Sequence, residues 1–210
     1  MTLRDISIVL SPRTPEWPGD TPFDCRWTWK MSEGASVNVS AISGSPHVGT
    51  HADAPLHVRD GWAGADALPL DAFIGPALVV DLTGRQGAIE WADLAQVAAR
   101  VPARLLLKTG CSIAGGHFPA RWPWLAPECV DALLAGGLRL LGVDCPSVDD
   151  RESKTLVVHH RLFAGGASIL ENLDLNNVPS GEFELLAQPM SIEGLDAAPV
   201  RAVLRPLPAT

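Results

Sequence analysis

Residues 104–108, RLLLK, make a short apolar run of the kind found in strands that are buried inside a sheet. Two similar runs flank it along the chain, ALVVDL at 77–82 and LRLLGV at 138–143. Residues 89–100 carry apolar side chains at helical spacing, and residues 127–134 start with proline and end before two glycines, as helices often do. The middle of the chain therefore predicts strand, helix, strand, helix, strand, which is an α/β arrangement.

Both ends of the chain are rich in predicted strands. Residues 6–10 form a short apolar run, and residues 25–30 and 37–43 alternate with period two, which is typical of half-buried strands. Residues 183–192 and 200–204 are predicted as closing strands. The expected fold is mixed α/β, with β-sheets that curl toward a barrel and a few flanking helices, in the manner of a swivelling β/β/α architecture.

Length and composition limit the classes of protein and partner. The 210 residues suit one domain, spanning 1–210, and a formal net charge of −8 makes a nucleic-acid partner unexpected. We expect no membrane partner and a cytoplasmic location, because no apolar run approaches the roughly 18 to 20 residues that span a bilayer and the N-terminus does not resemble a signal peptide. The four scattered cysteines contain no C-x-x-C pair and are predicted to be buried or half-buried fillers.

Three of the six histidines lie within eleven residues, in SPHVGTHADAPLHV at 45–58. Ser and Pro at 45 and 46 favour a helix start, which would place His47 and His51 on one face, with Asp53 two residues later. Two imidazoles and a carboxylate form a compact ligand set for zinc or a similar divalent ion. A purely structural role is less favoured, because burying these groups together without partners is costly.

His57 stands beyond Pro55 and is expected to face the same cavity from another side. An imidazole that titrates near neutral pH suits proton transfer, so His57 is the candidate catalytic acid/base. Two other roles stay open at this point, a fourth metal ligand or a residue that orients the ligands.

HVGTHADAPLH at 47–57 matches the pattern H-x-G-T-H-x-D-x-P-x-H, and through it the chain resembles the metal-dependent cyclase-like hydrolases, among them the bacterial kynurenine formamidases (arylformamidases). Supporting stretches are WPGDTPF, KTG, GVDCPSVDD, HH and ILENLDL, which lie at 17–23, 108–110, 142–150, 159–160 and 169–175. The resemblance implies two Zn²⁺ ions per subunit. It assigns His47, His51 and Asp53 to one ion, lets Asp53 reach the second, and adds His159 and Glu171, with Glu171 spanning both. The adjacent His160 is the alternative to His159.

The resemblance also implies an activity, the hydrolysis of N-formyl-L-kynurenine to L-kynurenine and formate in tryptophan degradation. Trp17 is the candidate for stacking on the substrate ring, with Phe23 a weaker neighbour. Arg151 and Arg161 are candidates for binding the substrate carboxylate only because they lie close to His159 in the sequence. No G-x-S-x-G motif is present, so a serine triad is not predicted.

Two other functions compete with this one. A related aryl or cyclic amide hydrolase, such as an isatin hydrolase, would keep the metals and change the pocket. A catalytically silent metal-binding protein would need the ligands but not His57. The seven tryptophans and many short strands further suggest that apolar surface is covered in a homodimer.

Overall fold

The computed structural model describes residues 2–207, which form thirteen strands and two α-helices. The strands are β1 (Arg4–Asp5), β2 (Asp24–Trp29), β3 (Val39–Ser43), β4 (His51–Asp53), β5 (Ile74–Asp81), β6 (Ala88–Ile89), β7 (Arg104–Lys108), β8 (Trp124–Leu125), β9 (Leu140–Val143), β10 (Ser168–Glu171), β11 (Gly181–Leu186), β12 (Ala197–Pro199) and β13 (Val203–Pro206). The helices are α1 (Pro127–Ala135) and α2 (Val157–Ala164), and short 3-10 helices include Pro55–His57 and Trp91–Val97.

Nine strands form one mixed sheet in the order β1-β13-β11-β5-β7-β9-β10-β4-β12. Its centre, β5-β7-β9-β10, is parallel, and the strands on both sides of that centre pair antiparallel. Two smaller sheets pair β2 with β3 and β6 with β8. The predicted fold class, one mixed α/β domain with a curled sheet and few helices, is confirmed.

Alternation along β7 explains how the sheet is buried on both faces. Leu106 belongs to an apolar cluster with Leu170 and Leu204, whereas Leu105 and Leu107 belong to a second cluster on the other face. α1 and α2 both contribute buried side chains to that second cluster. The apolar run at 104–108 is therefore a central strand, as the sequence predicts.

The N-terminal predictions were wrong in two respects. Residues 6–10 do not form a strand, because their polar groups pair one by one with different segments: the Ile6 amide donates to the Ala202 carbonyl, and the Ile8 amide donates to the Thr50 hydroxyl. β2 is present at 24–29, but all of its residues are exposed rather than half-buried. Within residues 2–207, neither strand of the β2–β3 hairpin contributes a buried residue to the core, and Trp27 and Trp29 each stay 57% exposed.

The segment at 89–100 is a kinked 3-10 helix over Trp91–Val97 rather than a regular α-helix. Leu94 has φ −104° and ψ 33°, outside the helical region, and it is fully buried together with Val97. Burial of these two side chains overrides the helical spacing of the sequence. The last strands are also shorter than predicted, β11 ending at Leu186 and β13 beginning at Val203.

The cysteines follow the prediction except at one position. Cys129 and Cys145 are buried, Cys111 is half-buried, and Cys25 is exposed on β2. Burial raises the pKa of the Cys129 thiol to about 12, so that thiol is unreactive at neutral pH.

Across residues 2–207, no helix has the length and apolar character needed to cross a membrane.

Candidate metal centre

The segment that carries His47 and leads to His51, the first residue of β4, is a turn and not the predicted helix. The Val48 amide donates to the Ser45 carbonyl, and Gly49 then takes a φ of +73°. The positive φ is what favours glycine here, and a Cβ at this position, 2.5 Å from Cδ2 of Leu10, would also displace the leucine side chain. The reversal brings Nδ1 of His47 within 3.2 Å of Nε2 of His51 without any helical turn.

Strand geometry places the next ligand candidates on one face. His51 and Asp53 are two residues apart on β4, so their side chains point to the same side, while Ala52 between them joins the apolar core. Glu171 is the register partner of His51 on β10 and therefore lies beside it on that face. β4 is held between β10 and β12, so three potential ligands rest on paired strands rather than on a loop.

Asp53 lies at the middle of the cluster and is fully buried. Its Oδ1 is 3.1 Å from Nδ1 of His47 and 3.2 Å from Nε2 of His51, whereas its Oδ2 is 3.2 Å from Nε2 of His159. Glu171 makes a second connection, with Oε1 3.4 Å from Nε2 of His159 and Oε2 3.7 Å from Nε2 of His51. The carboxylates of Asp53 and Glu171 thus each lie between the imidazole of His51 and the imidazole of His159.

In the imidazoles of His47, His51 and His159, the ring nitrogen that points away from Asp53 lies next to an oxygen that can only accept a hydrogen bond. Nδ1 of His51 donates to the Gly49 carbonyl at 2.8 Å, and Nδ1 of His159 donates to the Asp149 carboxylate at 2.6 Å. Nε2 of His47 donates to Oδ2 of Asp196 at 3.0 Å. In the neutral rings the inward nitrogens therefore carry lone pairs, as metal-binding histidines require.

The charges of the cluster favour a cation. Burial disfavours the imidazolium of His47, but the nearby carboxylates of Asp196 and Asp53 outweigh this and raise its pKa to about 10. Burial has the same effect on His159, yet Asp149, Asp53 and Glu171 raise its pKa well above the ordinary value. Burial alone would raise the pKa of Asp53, but the imidazoles, His159 foremost, hold it well below the ordinary value. A divalent cation would supply the same positive charge in place of these protons.

One atom tests the fit of a metal directly. Oδ1 of Asp53 is buried and accepts no hydrogen bond within residues 2–207, although two imidazole nitrogens lie near it. An orphaned buried carboxylate oxygen is costly unless it binds something else. Potential ligand atoms of His47, His51 and Asp53 all lie within 4.8 Å of one another, as do those of Asp53, His57 and His159. Imidazole nitrogens and carboxylate oxygens are the ligands that zinc prefers, so the residues fit a metal ion.

His57 ends the 3-10 helix that follows Pro55, and its side chain is 28% exposed. Its Nδ1 lies 3.3 Å from Oδ2 of Asp196, and its ring centre lies 4.4 Å from that of His47 and 5.8 Å from that of His159. The predicted acid/base is therefore beside the cluster, at the border between buried ligands and solvent.

A cavity of about 280 Å³ opens over the cluster. Its walls include His57 and Glu171 on the polar side and Trp17, Phe118 and Leu156 on the apolar side. Trp17 packs edge to face on Phe118, with ring centres 5.5 Å apart, and remains 39% exposed. The cavity thus has an aromatic wall formed by Trp17 and Phe118 in addition to the imidazoles, which suits a small aromatic substrate.

The remaining candidates lie elsewhere. His160 points away from the cluster and packs on Trp62, with ring centres 6.3 Å apart, so the structure places His159 and not His160 at the centre. Arg161 pairs with Asp131 on α1. Arg151 donates to the Ala120 carbonyl at 2.9 Å and lies over the ring of Phe118, behind the cavity wall. Phe23 is not among the lining residues of this cavity.

Sequence reasoning missed three residues of the site. Asp149 binds His159 and lies in GVDCPSVDD, a stretch that the motif alone leaves without a role. Asn172 lines the cavity next to Glu171 with a φ of +55°, and its buried side-chain oxygen has no hydrogen-bond partner within residues 2–207. Asp196 contacts two histidines from a position 139 residues beyond His57. No local sequence signal marks Asp196, because its place depends on β12 pairing with β4.

The geometry agrees with what comparisons with known proteins show. The Cyclase family, described as "Putative cyclase", matches residues 4–150. The chain belongs to this family. A solved structure described as a potential metal-dependent hydrolase with cyclase activity is 28% identical, with a TM-score of 0.83 over 97% of this chain and 96% of that one.

Two further solved structures resemble this Cyclase family member over most of their length. A predicted metal-dependent hydrolase from Bacillus stearothermophilus is also 28% identical, with a TM-score of 0.82 and 97% of each chain covered. Isatin hydrolase A from Labrenzia aggregata, bound to benzyl benzoate, shares the fold at 22% identity, with a TM-score of 0.81 over 97% of this chain and 93% of that one. Together with the cluster of histidines and carboxylates, these relatives support a hydrolase that depends on a metal.

Proposed function

We propose that this Cyclase family member hydrolyses N-formyl-L-kynurenine to L-kynurenine and formate. The observation that carries the proposal is the convergence of the inward lone pairs of His47, His51 and His159 on two shared carboxylates, beside His57 and below an aromatic wall. A serine nucleophile is not needed for such a site, because the residues present can hold ions that activate water.

Two divalent ions, which we propose to be zinc, would be held by separate sets of residues. His47, His51 and Oδ1 of Asp53 would hold one, and His159 and Oδ2 of Asp53 would hold the other, with Glu171 between them. Such ions would lower the pKa of bound water into the neutral range and polarise a carbonyl oxygen.

The protein's own groups would perform the remaining tasks. Trp17 and Phe118 would hold the aryl ring by stacking and edge contacts, which turns the formamide toward the imidazoles. His57 would accept a proton as water attacks the formyl carbon and return it to the departing aryl nitrogen, so that the C–N bond breaks and formate leaves. Leu156, an apolar residue of the cavity wall, would limit the water near the reacting atoms.

Turnover of two substrates on one zinc-loaded preparation tests the proposal. We expect formation of kynurenine and formate from N-formyl-L-kynurenine, with a kcat/KM at least about tenfold above that for isatin, which corresponds to about 1.4 kcal/mol of discrimination. The opposite ratio would assign the protein to ring-opening hydrolysis instead. Metal binding without turnover of either compound would favour the catalytically silent protein.

Replacing Trp17 with alanine is expected to weaken substrate binding. Loss of an aromatic contact costs about 0.5 to 1.5 kcal/mol beyond the lost apolar area, so kcat/KM for N-formyl-L-kynurenine should fall about tenfold, chiefly through KM. Steady-state kinetics with Leu70→Ala as the control checks this, because Leu70 is an exposed apolar residue outside both the cavity and the β2–β3 hairpin. Equal effects of the two substitutions would remove Trp17 from the substrate site.

The cytoplasmic location and the homodimer stay predictions from the sequence. The exposed β2–β3 hairpin, with Trp27, Trp29 and Ile42 on its surface, is the part of the described chain that we propose for the dimer contact.

A further inference from the structure

We propose that Asp196 is a positioning residue that sets the orientation and the tautomer of both His47 and His57. The inference rests on the proposed function, in which His47 binds a metal and His57 transfers a proton. It adds a carboxylate that couples the metal centre to the acid/base through one oxygen atom.

The contacts are specific to that oxygen. Oδ2 of Asp196 lies 3.0 Å from Nε2 of His47 and 3.3 Å from Nδ1 of His57. The two imidazoles are adjacent, with ring centres 4.4 Å apart. Oδ2 belongs to an aspartate carboxylate, which is ionised at neutral pH and can then only accept hydrogen bonds.

Strand pairing fixes the backbone around Asp196. Ala197, the next residue, is the register partner of Asp53, and the Ala54 amide donates to the Asp196 carbonyl at 2.8 Å. The Ala65 amide donates to the Leu195 carbonyl at 2.8 Å on the other side. Asp196 is therefore anchored to the same strand that carries His51 and Asp53, so its side chain keeps its place relative to the metal ligands.

The consequence for each imidazole follows from donor and acceptor roles. His47 donates through Nε2, which leaves the lone pair of Nδ1 facing His51 and Asp53. His57 donates through Nδ1, which leaves the lone pair on Nε2 available to take a proton from water. A carboxylate behind each ring also makes the opposite nitrogen more basic. Without Asp196, His57 could turn or change its tautomer, and His47 would hold its metal less firmly.

Substitution of Asp196 by alanine and by asparagine separates orientation from charge. The asparagine variant keeps an oxygen that can accept both hydrogen bonds but carries no charge, whereas the alanine variant keeps neither. Loss of a carboxylate that orients metal ligands typically lowers metal affinity or activity by about 10-fold to 100-fold. We expect Asp196→Ala to reduce zinc affinity and kcat within that range with little change in KM, and Asp196→Asn to have a smaller effect.

Asp66→Asn is the matched control. Asp66 is exposed and accepts a hydrogen bond from the Gly194 amide at 3.1 Å, so it anchors the same segment as Asp196 without contacting any histidine of the described chain. A purely structural role for this segment would make both substitutions equivalent. The positioning role predicts near-normal zinc affinity and kcat for Asp66→Asn.

A spectroscopic measurement tests the tautomers without relying on turnover. In long-range ¹⁵N–¹H spectra of the zinc-loaded protein, His57 should be protonated at Nδ1, and Asp196→Ala should shift His57 toward protonation at Nε2. An unchanged His57 tautomer together with unchanged zinc affinity would overturn the inference. Loss of one zinc equivalent in Asp196→Ala would overturn it too, by making Asp196 a ligand. If wild-type protein failed to hydrolyse the formamide while the tautomer shift occurred, the proposed function would fail and the positioning role would stand.

Discussion

Removal of divalent metal is expected to lower the rate of N-formyl-L-kynurenine hydrolysis by at least about 10³-fold, and added zinc should restore it. A metal ion contributes several kcal/mol of charge stabilisation in the transition state, and about 1.4 kcal/mol corresponds to each factor of ten in rate. Among the described residues that line the cavity outside the cluster, only Asp20 carries an ionisable side chain, and a carboxylate alone is a weak base toward water at neutral pH. Metal loss therefore removes the nucleophile as well as the charge.

The measurement has two parts, chelation with metal analysis and the Asp53→Asn variant. Oδ1 of Asp53 lies beside His47 and His51, and Oδ2 lies beside His159. Its substitution should therefore lower both the affinity for the two ions and the rate of formamide hydrolysis. Asp24→Asn, an exposed carboxylate on β2, is the matched control and should behave as wild type. Undiminished hydrolysis by metal-free protein would contradict the proposed function, even if zinc binds to the cluster.

Local patterns in the sequence predicted those parts of the fold that depend on near neighbours. Residues 104–108 were identified as a buried strand because both faces of a central parallel strand are covered and every side chain can be apolar. α1 was identified because Pro127 and the following glycines mark its ends. Each of these signals is contained within about ten residues of the element that it predicts.

Features that depend on distant parts of the chain were missed. The period-two pattern at 25–30 correctly indicated a strand, but it could not show that the β2–β3 hairpin packs on nothing else in the described part of this chain. The helix expected at His47 was wrong, because Gly49 turns the backbone and the Thr50 hydroxyl donates to the Asn172 carbonyl 122 residues away. The imidazoles meet all the same, because β4 pairs with β10 and so brings His51 beside Glu171.

The site shows the same division between near and distant information. The H-x-G-T-H-x-D pattern places three potential ligands by itself, since they are at most six residues apart. The orienting carboxylates come from a loop and from the residue before β12. The stretch around Asp149 supports the family resemblance without giving that residue a role, and no sequence pattern marks Asp196. They become visible only when hydrogen-bond partners are assigned to each ring nitrogen.

Replacing His57 with alanine is expected to lower kcat by about 10² to 10⁴-fold, the usual contribution of general acid–base catalysis. Zinc content should stay at the wild-type value, because the three imidazoles nearest Asp53 and Glu171 are those of His47, His51 and His159. KM should change little, since the aromatic wall of the cavity is unaltered. Steady-state kinetics and metal analysis on the same preparation measure both quantities.

His160→Ala is the control for this substitution, because the imidazole that it removes packs on Trp62 outside the cluster. This variant should keep the wild-type zinc content and the wild-type kcat. Added imidazole should partly restore the activity of His57→Ala, because the space left beside Asp196 can hold a small base that donates to the same carboxylate oxygen. Loss of one zinc equivalent in His57→Ala would instead identify His57 as a ligand, and the proton would then have to be carried by another group. A full rate with normal zinc would remove the acid/base from the mechanism, and the departing aryl nitrogen would take its proton from solvent.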